Sequence, residues 1–230
     1  MAGADGFTTK IASCEFPDDL LYEPEGLAWV RQGRSGEVVV GITAIHAALA
    51  GKLTAVRPKP INVEYAPGKL IGTLEGGRYF GPIRTPVQGL LLEVNDAVLA
   101  RPKILSESPY GDGWFARVRA ANRLADGAVL RSAADAAGML ASQIAALRVR
   151  CFAAFPDFEM YEIGTECAAV LVRLNELLER IEIDDVVHVV SDDVTAPIEM
   201  ARWSDETGQP VIEERQEGNL FHFLVRKRMR

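Results

Sequence analysis

A chain of 230 residues with 48% hydrophobic content suits one large domain or two ordinary ones, and supplies ample apolar side chains for their cores. The formal net charge of −7 argues against nucleic acid as the main partner, because phosphate binding needs a basic face. No run of about eighteen apolar residues exists, so no membrane span is expected, and the opening MAGADGFTTK has no charged-then-apolar signal pattern. The reading is of a soluble cytoplasmic protein.

Residues 1–16 read as a partly ordered lead-in. From 20 to 119 the pattern is strands and turns. Strands are expected at 29–31 and 37–42, with a turn over 33–36. Thr43 is placed to cap a short helix that reaches Leu49 and ends at Gly51. A short strand at 63–65 precedes the turn Ala66-Pro67-Gly68. The stretch 70–89 organises this half of the chain. Strand-like runs at 70–74 and 83–92 flank Gly76 and Gly77, and paired glycines supply the positive φ that a tight hairpin demands. Arg78 stands just past that turn. Pro86 and Gly89 break the returning strand, as a bulge or a corner would. A later strand falls at 114–119. The whole reads as a compact β domain of barrel-sandwich type over 17–131.

Composition then shifts to alanine. Ala133, Ala137, Leu140, Ile144 and Leu147 recur at helical spacing, and Ser132 with Asp135 resembles a capping box. This predicts a helix within a connecting segment, 132–155, closed by Pro156-Asp157. The remainder, 156–230, reads as an α/β sandwich of order βαβαββ. Strands are expected at 158–163 and 186–190, and an amphipathic helix at 165–180. Thr195 with Pro197 starts a second helix that Gly208 ends. A hairpin then turns at Gly218-Asn219. The basic stretch 226–230 reads as a solvated C-terminus rather than a binding patch.

Cys14, Cys151 and Cys167 are odd in number and widely spaced, which does not read as a disulfide framework. Cys151 reads as core. Cys14 is a weak candidate for a resolving thiol beside Cys167. His46, His188 and His222 lie far apart in the chain and form no ligand motif with the cysteines, so no metal site is expected. Asp192 and Asp193 read as turn formers rather than an acid–base pair.

The run Asn95 to Trp114, NDAVLARPKILSESPYGDGW, resembles the glycine cleavage H-protein family. Asn95, Pro102, Ser108, Pro109, Tyr110, Gly111, Gly113 and Trp114 match its pattern in order and spacing. Trp29-Val30-Arg31 and Val40-Gly41-Ile42-Thr43 are similar to it as well. The resemblance spans about residues 20–118 and implies a lipoyl-type fold with the carrier position at the hairpin tip. That family holds lipoate on the lysine of Glu-Ser-x-Lys-Ala. Here the matching residues are Glu75, Gly76, Gly77, Arg78 and Tyr79. A guanidinium stays protonated and is a very poor acyl acceptor. No lysine lies between Lys69 and Lys103. Lipoate is therefore expected to be absent, with Arg78 in the lysine's place and Glu75 flanking it.

The last quarter resembles the TusA-type sulfur-carrier family. The matching residues are Gly164, Cys167, the leucine pattern of 171–178, Ser191-Asp192-Asp193, Ala201-Arg202-Trp203, Thr207-Gly208 and the closing Phe223-Leu224-Val225-Arg226-Lys227. In that family the cysteine opens Cys-Pro-x-Pro and carries a persulfide. Here the run is Cys167-Ala168-Ala169-Val170, without the prolines. A helix N-terminus favours a thiolate at Cys167, whereas Glu166 disfavours it.

These resemblances imply a two-domain fusion of bacterial type. The first reading is a sulfur-relay or sulfur-carrier protein. Cys167 is its candidate persulfide carrier, and the lipoyl-like domain docks enzymes that recognise lipoyl-type carriers or handle sulfur. The second is a non-catalytic adaptor with both carrier positions degenerate. The third is a true lipoyl carrier, which Arg78 disfavours.

Overall fold

The computed structural model describes residues 7–25, 27–33, 35–77, 79–121 and 129–228; Arg78 lies outside the described residues. The chain divides into two compact units, Met1–Cys151 and Phe152–Arg230.

The described part of the first unit begins with a hairpin, where a partly ordered lead-in was expected. β1 (Thr8–Ile11) pairs antiparallel with β2 (Cys14–Pro17). Ile11, Cys14 and Phe16 are buried, while Lys10 and Glu15 point out. That alternation is the period-two pattern of a half-buried strand. A meander follows: β3 (Leu21–Glu23), β4 (Ala28–Gln32) and β5 (Glu37–Ile42). α1 (Ala44–Ala50) begins where Thr43 Oγ1 accepts the His46 N–H at 3.3 Å, and it stops at Gly51, whose φ of 67° favours glycine.

Next come β6 (Leu53–Pro58), β7 (Glu64–Tyr65), β8 (Leu70–Gly76), β9 (Phe80–Arg84) and β10 (Gly89–Val94). The short helices α2 (Asp96–Ala100) and α3 (Ile104–Glu107) precede β11 (Trp114–Ala120) and α4 (Ala133–Leu147). The described strands form a six-stranded sheet, β3-β4-β5-β11-β10-β7, and a three-stranded sheet, β6-β8-β9. Val40, Ile42, Leu74, Ile83, Leu91 and Phe115 bury together between them, which makes this unit a β-sandwich. The returning strand expected at 83–92 is really two, β9 and β10, and each lies in a different sheet. Gly89 is needed at the corner because a Cβ there would come within 2.3 Å of the Arg119 carbonyl oxygen.

α4 starts at Ser132, whose hydroxyl accepts the Asp135 N–H at 3.1 Å. Ala133, Ala136, Leu140 and Ile144 bury on Phe16, Tyr22, Trp29 and Ile45. This helix, expected within the connecting segment, packs on β1, β3 and α1. Beyond it, Cys151 is disulfide-bonded to Cys14, with the Cα atoms 4.9 Å apart and the two residues 137 positions apart in sequence. This overturns the expectation of unpaired cysteines. The pairing depends on a hairpin and a helix end meeting, and neither spacing nor parity records that.

The second unit runs β12 (Phe158–Glu162), α5 (Cys167–Arg180), β13 (Val186–Ser191), α6 (Ala196–Thr207), β14 (Val211–Glu217) and β15 (Leu220–Arg226). Its sheet order is β12-β13-β15-β14, with β12 and β13 parallel and the other pairs antiparallel. Val170, Leu174 and Leu178 recur every fourth residue, so they share one face of α5. They bury with Met200 and Trp203 of α6 against Val187, Val189, Phe223 and Val225. Gly208, with φ 70°, ends α6. The basic tail is not simply solvated. Lys227 is buried and donates from Nζ to the Ile181 carbonyl at 2.6 Å, which caps the C-terminal end of α5. Among the described residues no helix is long and apolar enough to cross a membrane.

Candidate functional site

The hairpin tip is set by close approach rather than by turn dihedrals. Neither Gly76 nor Gly77 takes a positive φ. Gly76 lies where a Cβ would come 2.7 Å from the Ala50 carbonyl oxygen, against the turn that follows α1. Its N–H donates to the Tyr79 carbonyl at 2.8 Å and closes the tip. Glu75 pairs across the ladder with Phe80, and its carboxylate meets Arg57 of β6 at 2.5 Å. That guanidinium holds the exposed carboxyl below the usual range, chiefly through the hydrogen bond. Glu75 therefore braces two strands, while Phe80 beside it is 71% exposed.

Sequence reading did not connect Tyr79 at this tip with His46 of α1. Tyr79 Oη lies 2.9 Å from His46 Nε2, and the rings meet edge-on with centroids 6.0 Å apart. His46 is 4% exposed, and burial pulls its pKa down to about 4, so it is neutral near pH 7. The two residues are 33 apart in the chain. No spacing rule joins them.

Cys167 is the first residue of α5, as expected. Because β12 and β13 are parallel, the loops that leave their C-terminal ends emerge side by side. Asp193 thereby meets the start of α5. Its Oδ2 accepts the Cys167 N–H at 2.7 Å, and its Oδ1 accepts the Thr195 N–H and hydroxyl, both at 2.8 Å. Asp192 accepts the Gly164 N–H at 2.7 Å. The two aspartates, read as turn formers, also clamp the β12–α5 loop. Thr195 makes no side-chain cap of its own.

This clamp works against ionisation of the thiol. Cys167 is 2% exposed, and its pKa is pushed up to about 11, first by burial and then by the charges of Asp193 and Glu199. The helix N-terminus favours thiolate, but desolvation and two carboxylates outweigh it. At pH 7 the thiol is therefore protonated. Cys14, the suggested resolving thiol, is committed to Cys151.

The histidines are not all apart in space. His188 Nε2 and His222 Nδ1 are 2.9 Å from each other, in buried rings stacked at 16°. Phe152 covers His188 with centroids 4.5 Å apart. Among the described residues, no group of three or more His, Cys, Asp or Glu is arranged to hold a metal.

A family model described as glycine cleavage H-protein matches residues 20–143. Glycine cleavage system H protein 5 of Aquifex aeolicus is 32% identical over 146 residues, covering 62% of this chain and 98% of that protein. H protein 2 of the same organism is 37% identical over 109 residues, covering 47% and 68%. A probable glycine cleavage system H protein 2 of Sulfurisphaera tokodaii is 36% identical over 115 residues, covering 49% and 78%. A crystal structure of a glycine cleavage system H protein from Mycobacterium marinum superposes with a TM-score of 0.48 at 26% identity, covering 54% of this chain and 97% of that one.

Proposed function

This chain belongs to the glycine cleavage H-protein family, and from that premise we propose that it works as a docking member of the family that carries no lipoate. Its first unit presents an H-protein-like surface to enzymes that recognise lipoyl-type carriers. The observation that carries this reading is the residue at the carrier position. By the motif resemblance Arg78 stands where the family has its lipoyl lysine, and no lysine lies between Lys69 and Lys103 to replace it. A guanidinium is not deprotonated in a protein and does not accept an acyl group. The test is the intact mass of protein made in cells with active lipoate attachment. The unmodified mass is expected; a mass raised by one lipoyl group overturns the reading.

A second reading rests on Cys167 at the head of α5. In it, 156–230 is a TusA-type carrier domain joined through 132–155 to the docking domain at 17–131, and the thiol relays sulfane sulfur between a donor and an acceptor. The buried, protonated thiol weighs against this reading at rest. Relay then requires the loop held by Asp192 and Asp193 to open. Incubation with polysulfide tests it. The reading expects a mass gain of one sulfur that Cys167→Ser abolishes, and no gain in the wild type leaves the docking role alone.

A further inference from the structure

Tyr79 fastens the β8–β9 tip to α1. Its hydroxyl meets His46 Nε2 at 2.9 Å, and its carbonyl takes the Gly76 N–H at 2.8 Å. Its ring lies across Gly81, where an added Cβ would come within 2.1 Å of Tyr79 Oη. Gly76 is tucked against the backbone after α1, 2.7 Å from the Ala50 carbonyl oxygen by the same measure. A histidine in α1 and a glycine in β9 thus accommodate one aromatic side chain, while a glycine in β8 lets the tip lie against the backbone after α1. His46 Nδ1 is buried and makes no hydrogen bond, so Tyr79 supplies the polar partner of that ring.

We propose that Tyr79 is a second determinant, independent of Arg78, that closes this tip to acyl-transferring enzymes. The proposal rests on the lipoate-free reading above. An enzyme that acylates a turn residue must draw that residue and its neighbours into its own cleft. Drawing the tip outward lifts Tyr79 off His46 and leaves a buried imidazole with neither nitrogen satisfied, which opposes the movement. Restoring an amine at position 78 therefore does not by itself restore a substrate.

The experiment uses the full chain with lipoate, ATP and a lipoate–protein ligase. The lipoate carboxylate attacks the α-phosphorus of ATP on the ligase, the α–β phosphoanhydride bond breaks, and pyrophosphate leaves to give lipoyl-adenylate. The amine then attacks the acyl carbon, the acyl–phosphate bond breaks, AMP leaves and the nitrogen gives up a proton. Uptake is followed by intact mass for the wild type, Arg78→Lys, and Arg78→Lys combined with Tyr79→Ala or with His46→Ala. Arg78→Lys combined with Gly41→Ala serves as a control, because it strains this unit at Trp29 and away from the tip. We expect no uptake by the wild type and slow uptake by Arg78→Lys. The Tyr79→Ala and His46→Ala doubles should run at least about tenfold faster, the weight of one buried hydrogen bond. The Gly41→Ala double should stay at the slow rate. Equal rates for Arg78→Lys and the Tyr79→Ala double, or no uptake by either, overturn the role of Tyr79. Acceleration by Gly41→Ala does the same, because general loosening then suffices. Uptake by the wild type instead overturns the lipoate-free reading.

Discussion

The backbone N–H of Cys167 is held by the carboxylate of Asp193 at 2.7 Å, and the same carboxylate faces the thiol and opposes its ionisation. One side chain thus both starts the helix and keeps its first residue quiet. At the head of α5 burial first, and the local charges after it, outweigh the helix dipole.

Alkylation should report this directly. With the thiol pKa pushed up to about 11, native Cys167 should react with iodoacetamide far more slowly than free cysteine at pH 7, and the rate should climb about tenfold per pH unit up to about pH 11. Asp193→Asn removes one repelling charge but not the burial, which is the larger cause, so the gain should be under about tenfold. The folded pKa lies above the ordinary value of 9.0. This group's contribution to stability is therefore complete below about pH 9 and is lost as pH rises through about 11. A thermal-melt series across that window checks the sign, and Cys167→Ser should flatten it.

The Cys14–Cys151 bond closes a loop of 137 residues around nearly the whole first unit. A chain-entropy account gives it about 5 kcal/mol. Protein purified without reductant should show one reactive thiol when denatured and three after reduction. Reduction, or Cys14→Ser, should lower the melting temperature of the first unit. Three thiols before reduction would refute the pairing.

His46 is neutral because it is buried, with a pKa pulled down to about 4. Its folded pKa is below the unfolded value near 6.5. Its contribution to stability is thus present above about pH 6.5 and is lost as pH falls through about 4. NMR titration should leave the His46 ring signals unmoved from pH 8 to pH 5. His46→Ala should weaken the pH dependence of unfolding in that range, although it lowers stability at every pH by removing the Tyr79 contact.

Phe152 and Ala153 contact the second unit ahead of its first strand. Phe152 covers His188, Arg215 lies 4.9 Å above the Phe152 ring, and the Ala153 N–H donates to Glu213 Oε2 at 2.6 Å. A fragment that begins at Phe152 should fold, and it should be more stable than one beginning at Pro156 by about 1–2 kcal/mol. In a domain of this size that is roughly 4–8 °C or more in Tm. Equal melting temperatures would show that the lead-in contributes nothing.

Local order in the sequence determined the elements. Thr43 and Gly51 mark both ends of α1, Ser132 marks the start of α4, and Gly208 marks the end of α6, because capping chemistry is read within a few residues. The family signal was legible for a similar reason: Asn95, Pro109, Tyr110 and Trp114 lie in one run. Asn95 Nδ2 donates to the Asp112 and Trp114 carbonyls, and Tyr110 Oη accepts the Ala44 N–H. What the tertiary structure alone decided were encounters between distant residues: Cys14 with Cys151, Tyr79 with His46, His188 with His222, and Cys167 with Asp193. The partners of each pair stand 26 or more positions apart in the chain. Periodicity and capping act over one or two turns, whereas burial and charge depend on what packing brings within a few ångströms. The position of Cys167 at a helix start was therefore foreseeable, and its protonation was not.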